Sequence, residues 1–423
     1  MGSSLNKLYL YIKENVMEKK IKMLVIPSDR SGCGFFRSVQ PHVYIAEHYS
    51  NEFEIDIVYE FPKNVELDKF FSQYDIVHIH KQLDKNCELI NMMKFCGCKV
   101  IVDIDDHYDL GNDHPMSITA RAEKWKEPVI KHLQLADMVT TTTEIFKKVL
   151  LKHNKNVAVL PNAINPNEGQ FIPKPTESNR LRFGIICGSS HLEDIKLLKG
   201  MVNQLSQDVL DKIQFVLCGF DTNGTRTIRN LTTGEVITRP IEPKETCWYE
   251  YEKILTDDYK IVKPEHKAFL NQFIKGVDYP DITDCYRRCW TKNIQEYATH
   301  YNNIDVLLVP LKENEFNKVK SQLKVIEAGF FNKAIIAQNF GPYTIDLTPM
   351  IEYGGKINEN GNALLVESSK NHKQWAKYIT KLVNDKEMLK KLQENLHNTV
   401  KDKYSLDTVC KERVEVYRQL INS

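Results

Sequence analysis

The stretch Phe316-Asn-Lys-Val-Lys-Ser-Gln-Leu-Lys-Val-Ile-Glu-Ala-Gly-Phe330 decides how the chain is interpreted. It follows a strand-like run, Ile304 to Leu311, and precedes another, Ala334 to Gln338. Apolar residues recur in it with helical spacing, and Ser321 is predicted to cap the start of the helix. A helix that connects two buried strands predicts an α/β fold with a parallel sheet.

Charged side chains line one face of this predicted helix. Lys320, Lys324 and Glu327 stand at i, i+4 and i+7, so they share a face over its first two turns. A helix start carries unpaired N–H groups and partial positive charge, so two lysines beside it predict an anion site. Glu327 lies further along and is suited to accept hydrogen bonds from a sugar diol. The pattern therefore predicts a nucleotide-sugar pocket, and a solvated charged face is the alternative.

Length and composition limit the protein class. A chain of 423 residues allows two or three domains that each bury a core. Lysine plus arginine (57) nearly balances aspartate plus glutamate (56), so no overall charge points to nucleic acid. No apolar run reaches membrane-spanning length, and the first residues lack a signal peptide's apolar core. Residues 1–20 are interpreted as an N-terminal extension.

The ten cysteines follow no disulfide spacing. Cys187 and Cys218 lie inside apolar strands, which suits a reducing compartment and predicts a cytoplasmic protein. Two cysteine pairs could each supply half of a zinc site, namely Cys96 with Cys98 and Cys285 with Cys289. Neither has a second pair at the spacing of a zinc finger. Buried or surface thiols are the preferred interpretation, and no metal site is predicted.

The first half of the chain, residues 21–165, alternates strands with helices. The strand-like runs are Ile21 to Pro27, Ile55 to Tyr59, Ile76 to His80, Val100 to Ile104 and Met138 to Thr141. This alternation predicts a doubly wound parallel sheet, whose ligand lies beyond the carboxyl ends of the strands.

A glycine turn follows the first of these strands. Gly32 and Gly34 allow backbone N–H groups to approach a phosphate closely, although any tight turn uses such residues. The third glycine of the dinucleotide fingerprint is missing. Arg37, one turn into the next helix, offers a fork suited to a diphosphate.

A carboxylate cluster closes the fourth strand. Asp103, Asp105, Asp106 and His107 stand where a substrate hydroxyl would be met, and the last three are the predicted catalytic residues. A helix-capping loop with a strand-end salt bridge is one alternative. A magnesium site is the other, because an Asp-rich turn can hold that ion.

The strand and helix pattern restarts at Arg182. The turn Gly188-Ser189-Ser190-His191 opens a helix there and is a second candidate for anion binding. Residues 166–405 are predicted to form the second domain, interrupted at about residues 221–290 by a hairpin and helical insertion. Residues 406–423 are predicted to form a helix that packs back on the first domain.

Two Rossmann-like halves joined at Val157-Ala-Val-Leu-Pro-Asn162 resemble a GT-B glycosyltransferase, most closely glycosyltransferase family 4. Asp305 to Pro310 and the helix after it are similar to that family's donor-binding strand and helix. Ser31 to Arg37 is similar to its glycine loop, and Asp103 to Asp106 to the end of its fourth strand. The resemblance extends from about residue 21 to 420, apart from the insertion.

The resemblance implies transfer of a hexose-like sugar from a nucleoside-diphosphate sugar to a hydroxyl, with retention. It implies no cofactor and no metal, because a helix dipole and lysines stabilise the leaving diphosphate. Glu327 matches the glutamate that holds the donor ribose, whereas Val319 stands where a second glutamate contacts the sugar. The diphosphate is assigned to Lys320, Ser321 and Lys324. The predicted donor-binding residues are Gly32, Gly34, Arg37, Gly188, Ser189, His191, Lys320, Ser321, Lys324 and Glu327.

Three other functions fit the same architecture. A non-hydrolysing nucleotide-sugar epimerase needs no acceptor. A non-catalytic sugar-nucleotide-binding relative is compatible with Val319. A nucleic-acid-modifying transferase would need a basic cleft that the charge balance does not indicate. The sequence leaves open the sugar, the base, the oligomeric state and the acceptor, whether protein, lipid, glycan or modified base.

Overall fold

The computed structural model describes residues 19–81, 87–229, 232–279, 284–367 and 372–423. The N-terminal extension predicted for residues 1–20 lies almost entirely outside these ranges. Within them, no helix is both long and apolar enough to cross a membrane.

A six-stranded parallel sheet forms the core of the first half. Its strands are β1 (Ile21–Ile26), β2 (Phe53–Ile57), β3 (Ile76–His80), β4 (Lys99–Asp103), β5 (Met138–Thr141) and β6 (Val157–Val159). They lie in the order β2-β1-β3-β4-β5-β6. The helices between them are α1 (Gln40–His48), α2 (Leu67–Phe71), α3 (Glu88–Phe95), α4 (Ser117–Ala122), α5 (Lys126–Leu135) and α6 (Glu144–Leu150). Both faces of the central strands are buried, as expected for a parallel sheet.

The second half repeats this architecture. Its strands are β7 (Leu181–Ile186), β8 (Ile213–Phe220), β9 (Thr225–Arg229), β10 (Val236–Pro240), β11 (Tyr286–Trp290), β12 (Val306–Val309), β13 (Ala334–Gln338) and β14 (Leu364–Val366). A parallel sheet has the order β11-β8-β7-β12-β13-β14, and β9 and β10 form a separate antiparallel hairpin. Two doubly wound α/β domains with an inserted hairpin are thereby confirmed.

This part of the described structure contains nine further α-helices. They are α7 (Leu192–Ile195), α8 (Gln207–Leu210), α9 (Cys247–Thr256), α10 (Pro264–Leu270), α11 (Glu315–Lys318), α12 (Leu323–Phe330), α13 (His372–Asn384), α14 (Lys386–Val400) and α15 (Leu406–Ile421). Helices α9 and α10 follow the hairpin and belong to the inserted segment.

The inserted segment is shorter than predicted. Residues up to Trp290 were assigned to it, but Tyr286–Trp290 is β11, a strand of the second sheet that pairs with β8. The sequence did not predict this strand, because it contains a charged residue, Arg288. The Arg288 guanidinium donates to both carboxylate oxygens of Glu252, at 2.8 and 2.6 Å. This buried ion pair allows an arginine to occupy a core strand.

The start of α12 also differs from the prediction. The helix begins at Leu323, with Gln322 at the N-cap and no side-chain cap, so Ser321 does not cap it. The Ser321 hydroxyl instead accepts a hydrogen bond from Asn162 Nδ2 at 3.2 Å. Lys320 therefore precedes the helix, and of the three predicted charged residues only Lys324 and Glu327 lie on it.

Helix α15 packs on the first sheet. Val409, Cys410 and Val414 share a buried cluster with Met23 and Ile101. Backbone hydrogen bonds join the two segments that pass between the domains, from Ile164 N–H to Tyr404 O at 3.0 Å and from Leu406 N–H to Ile164 O at 2.8 Å. The chain thus returns to the first domain beside the place where it left.

Candidate active site

A cleft of about 580 Å³ lies where the carboxyl ends of the two sheets face each other. Both domains contribute to its lining, as expected for a ligand site of doubly wound sheets. The predicted site residues that line it are Gly32, Arg37, Asp105, Asp106, Gly188, His191, Lys320, Ser321, Lys324 and Glu327. Gly34, Ser189 and His107 are not part of that lining.

Lys324 brings a cation to this cleft from the first turn of α12. Its side chain is half-buried, and in the described part of the chain no carboxylate lies within ion-pair distance of its ammonium. Burial lowers the pKa of Lys324. An unpaired, partly desolvated ammonium at the positive end of a helix dipole favours a bound anion.

Lys320 is paired across the cleft. Its ammonium lies 3.2 Å from Asp106 Oδ1 of the first domain. The Asp106 carboxylate also accepts a hydrogen bond from Lys81 Nζ at 3.1 Å. The Lys81 ammonium lies 3.4 Å from Asp105 Oδ1 as well. Sequence reasoning missed Lys81, although its place directly after β3 marks it as a residue of the ligand-binding edge.

The two aspartates are ionised. Burial opposes this, but the charges of Lys320 and Lys81 lower the pKa of Asp106 to about 2. For Asp105, burial is likewise outweighed by Lys81 and by a hydrogen bond from His80, which together lower the pKa well below its usual value. At neutral pH, carboxylates with such low pKa values carry no proton and are weak bases, so they can accept a hydrogen bond from a hydroxyl but are poor general acids and poor general bases.

Among the described residues, His107 forms no hydrogen bond or ion pair with these aspartates. Its Nδ1 accepts the Asp109 N–H at 2.9 Å, and its ring stacks on Phe146 with a centroid distance of 6.1 Å. This differs from the prediction that His107 acts with Asp105 and Asp106, because a local turn fixes the ring. The buried His80 takes the place beside Asp105, with its Nε2 at 3.4 Å from Oδ1.

His107 lines a second cavity, of about 360 Å³, formed mostly by the first domain, with Phe316 of the second domain in one wall. Most of its walls are apolar or aromatic, and they include Tyr108, Leu110, Met116, Trp125, Val129 and Phe316. Cys33 and Asp106 line both this cavity and the cleft. The two cavities therefore meet at an ionised carboxylate.

Arg37 does not present its guanidinium to the cleft. The side chain is fully buried, and it donates through Nε and Nη2 to the two Asp103 oxygens at 2.9 and 2.7 Å. Nη1 donates to Leu160 O at 2.6 Å and to Asn162 Oδ1 at 3.1 Å. The predicted contact between Arg37 and a diphosphate is therefore not supported, because the donors are already bonded within the first domain.

In the glycine turn after β1, amide N–H groups bond to a carboxylate of the same turn. Asp29 Oδ1 accepts the N–H groups of Ser31 and Gly34, at 2.7 and 3.2 Å. These amides are thus bonded to Asp29, unlike the predicted presentation of free N–H groups to a phosphate. A Cβ atom at Gly34 would lie 2.0 Å from Asp29 O, so this glycine serves close backbone packing.

We expect Gly34→Ala to lower the free energy of unfolding by about 1–3 kcal/mol, because the new methyl group overlaps the Asp29 backbone. Gly32→Ala is the matched control, since a Cβ there meets only Ile294 Cδ1 at 3.9 Å. Urea denaturation of both variants measures the difference. Equal stabilities would show that the turn relaxes to accommodate the methyl group.

The second turn, after β7, holds His191. Its Nδ1 lies 2.7 Å from Asp194 Oδ2, and Asp194 Oδ1 accepts the Lys312 N–H at 2.8 Å. Burial and the nearby charge of Lys324 lower the pKa of His191 to about 4, so the ring is neutral at pH 7. Because a carboxylate only accepts, Nδ1 carries the proton and Nε2 keeps its lone pair.

Glu327 lies at the inner part of the cleft and is almost fully buried. Its carboxylate accepts hydrogen bonds from the hydroxyls of Tyr297 and Tyr301, the latter at 2.8 Å. Burial raises the pKa of Glu327 to about 7, although both tyrosines act in the opposite direction. A carboxylate accepts up to about four hydrogen bonds, so capacity for further donors remains. The two tyrosines were not predicted from the sequence.

No protein-family model matches the sequence, and no curated protein sequence is significantly similar to it. Solved structures do match. Sucrose-phosphate synthase from Thermosynechococcus elongatus has a TM-score of 0.61 at 13% identity, covering 96% of this chain and 100% of that one. Anabaena HepE in complex with UDP and glucose has a TM-score of 0.58 at 10% identity, covering 94% and 100%. The catalytic domain of starch synthase IV from Arabidopsis thaliana, bound to ADP and acarbose, has a TM-score of 0.56 at 12% identity, covering 96% and 99%.

These likenesses establish the fold, because they extend over nearly the whole chain. The two parallel sheets correspond to the two Rossmann-like domains of GT-B glycosyltransferases. At 10–13% identity, the similarity to these structures does not establish the reaction, which has to be argued from the site itself.

Proposed function

We propose that the protein transfers a hexose-like sugar from a nucleoside-diphosphate sugar to a hydroxyl acceptor, as a glycosyltransferase. The observation that carries this proposal is the unpaired ammonium of Lys324 in the interdomain cleft. A diphosphate supplies the missing negative charge, and the amino-terminal end of α12 adds to its stabilisation. The complexes of HepE with UDP-glucose and of starch synthase IV with ADP support a nucleotide sugar as the donor.

The donor would lie along α12. Its diphosphate contacts Lys324, and its ribose hydroxyls donate to the remaining lone pairs of Glu327. Lys320 lies four positions before Lys324, ahead of the helix, and would exchange its contact with Asp106 for the diphosphate. The neutral His191 would accept a hydrogen bond from a sugar hydroxyl through Nε2. Val319 is buried in the apolar core that belongs to the first domain, so it provides no polar contact to the sugar.

The acceptor would occupy the largely apolar cavity lined by His107, most of which belongs to the first domain, with its hydroxyl at Asp106. This cavity favours a transferase over an epimerase, because an epimerase has no second substrate to place there. In the reaction the bond from the anomeric carbon to the diphosphate oxygen breaks, and a bond to the acceptor oxygen forms on the same face. The acceptor proton passes to the leaving diphosphate on that face, and formation of the new bond on the same face makes the transfer retaining. The weakly basic Asp106 orients the hydroxyl.

We also propose that no divalent ion takes part in the transfer. Lys81 and Lys320 already neutralise the charges of Asp105 and Asp106 that a magnesium ion would otherwise balance. Lys324 and the α12 dipole would stabilise the leaving group instead. A cytoplasmic location stays part of the proposal and agrees with the ten free thiols.

Lys324→Met is expected to weaken nucleotide binding tenfold or more, because charge-assisted hydrogen bonds contribute about 1.5–3 kcal/mol. Calorimetric titration with UDP and ADP measures this. Lys318→Met is the matched control, since that lysine is exposed and paired with Glu315 at 3.4 Å. Unchanged affinity in a folded Lys324→Met variant would exclude this donor site.

Activity is tested with a panel of nucleotide sugars, measuring release of the nucleoside diphosphate with and without added alcohols. Release that depends on the alcohol supports a transferase, and an altered nucleotide sugar without any acceptor would identify an epimerase.

The same assay with EDTA tests the role of a divalent ion, and EDTA should leave turnover near its starting value. Loss of activity that magnesium or manganese restores would make Asp105 and Asp106 metal ligands.

A further inference from the structure

Three metal-binding side chains meet beneath the cleft, apart from the proposed transfer chemistry. Cys218 and Cys289 are register partners on the adjacent strands β8 and β11. His300 belongs to the helical segment Tyr297–Asn303. One ligand atom of each residue lies within 4.8 Å of the other two. All three residues are buried, with exposed fractions of 0, 4 and 2% for Cys218, Cys289 and His300.

The His300 ring has unsatisfied polar atoms. Neither Nδ1 nor Nε2 has a partner of ordinary hydrogen-bond geometry among the described residues. A buried imidazole without partners is destabilising by about 1–3 kcal/mol, so such a ring calls for an explanation. A metal ion among the three side chains satisfies one ring nitrogen directly and leaves the other to carry the proton.

We propose that Cys218, Cys289 and His300 bind one zinc ion. Two thiolates and one imidazole are a donor set that zinc prefers, and two thiolate charges neutralise Zn²⁺ in a buried site. Cys218 and His300 also line the cleft, which leaves the fourth coordination position accessible to a water molecule from that side.

The sequence conceals this site because its ligands are not close in the chain. The zinc half-pattern formed by Cys285 and Cys289 uses the wrong partner, since Cys285 Sγ donates to Ile261 O at 2.7 Å. The true partners of Cys289 come from β8 and from the segment that follows β11. Only the parallel pairing of β8 and β11 brings the two thiols together.

The proposed ion would hold the segment Tyr297–Asn303 against the second sheet. That segment also carries Tyr297 and Tyr301, whose hydroxyls bond to Glu327. In this proposal the zinc therefore positions the two tyrosines through that segment. It is distinct from a metal in the transfer step, and the inference does not depend on the proposed function.

The full-length protein, prepared under reducing conditions with zinc and then desalted, is analysed for metal content. We expect one zinc per chain, and loss of that zinc to background in Cys218→Ser and His300→Ala. Cys410→Ser is the matched control and should retain the metal, because Cys410 is equally buried but lies on α15 in the other domain. Wild-type protein refolded with Co²⁺ should show the thiolate-to-cobalt charge-transfer bands and the intense visible bands of tetrahedral coordination.

The cobalt spectrum decides the matter even if the cysteine variants do not fold. A wild-type protein without these bands, or with zinc no higher than in Cys218→Ser, would overturn the proposal. So would a Cys218–Cys289 disulfide found by mass spectrometry in protein kept under reducing conditions. Retained zinc in folded Cys218→Ser would assign the metal to other residues and overturn it equally.

Discussion

Replacing Arg37 by methionine is expected to lower the free energy of unfolding by about 3–5 kcal/mol. The substitution leaves the Asp103 carboxylate fully buried and without its bidentate partner. Asp103 keeps one hydrogen bond from the Thr140 hydroxyl, at 2.6 Å, which does not neutralise the charge. Urea denaturation gives the loss of stability, and nucleotide titration of the same folded variant should show little change in affinity.

The exposed ion pair between Arg418 and Glu52 provides the matched control. It has similar geometry, with distances of 2.7 and 2.6 Å, but the Arg418 side chain is 40% exposed. Arg418→Met should therefore lose only about 0–1 kcal/mol. Adding Asp103→Leu to Arg37→Met should restore part of the lost stability, because the Asp103 carboxylate is then no longer buried without its partner. A stable Arg37→Met variant with weakened nucleotide binding would instead make Arg37 a ligand, as the sequence predicted.

Glu327→Gln is expected to gain about 3 kcal/mol of stability relative to the wild type as the pH rises from about 4.5 to about 7. In the unfolded chain Glu327 releases its proton near the ordinary pKa of 4.5, whereas burial holds its folded-state pKa at about 7. In this window the folded state binds more protons, so wild-type stability falls as pH rises. Above about pH 7 the two curves should run parallel.

Chemical denaturation of wild type and Glu327→Gln at several pH values between 4 and 8 checks this result, roughly spanning both pKa values. Glu394→Gln removes an exposed carboxylate and should follow the wild-type curve. If Glu327→Gln also followed that curve, the tyrosine hydroxyls would be holding Glu327 ionised at all these pH values. The ribose contact would then have to be formed by a permanently charged carboxylate.

The positions of most strands follow from local sequence. Short runs rich in β-branched residues identified β3 and β5 with the bounds that the structure has. Strand β11 was not predicted, because an arginine such as Arg288 is incompatible with an apolar core unless its charge is neutralised. The carboxylate that neutralises it belongs to Glu252, which lies 36 positions earlier in the chain. A charged residue in a strand cannot be interpreted without knowing which distant residue neutralises it.

The same limit governs the site. The helical spacing of Lys324 and Glu327 placed both in one cleft before the fold was known. The partners of Arg37 and Lys320 could not be inferred, because Asp103 and Asp106 lie 66 and 214 positions away. Sequence identifies side chains able to bind an anion, whereas the fold decides which of them are already neutralised by the protein.

The return of α15 to the first sheet has a consequence during translation. Met23, Val25 and Ile101 depend on this helix for cover, yet the whole second domain is synthesised before it. At about 5–20 residues per second, the delay between β6 and α15 is on the order of tens of seconds. For that time the nascent first domain presents an apolar sheet face on the ribosome, where it is a target for chaperones and a risk for aggregation. A circular permutant that starts with α15 would remove this delay, because the helix would then be synthesised before the sheet that it covers.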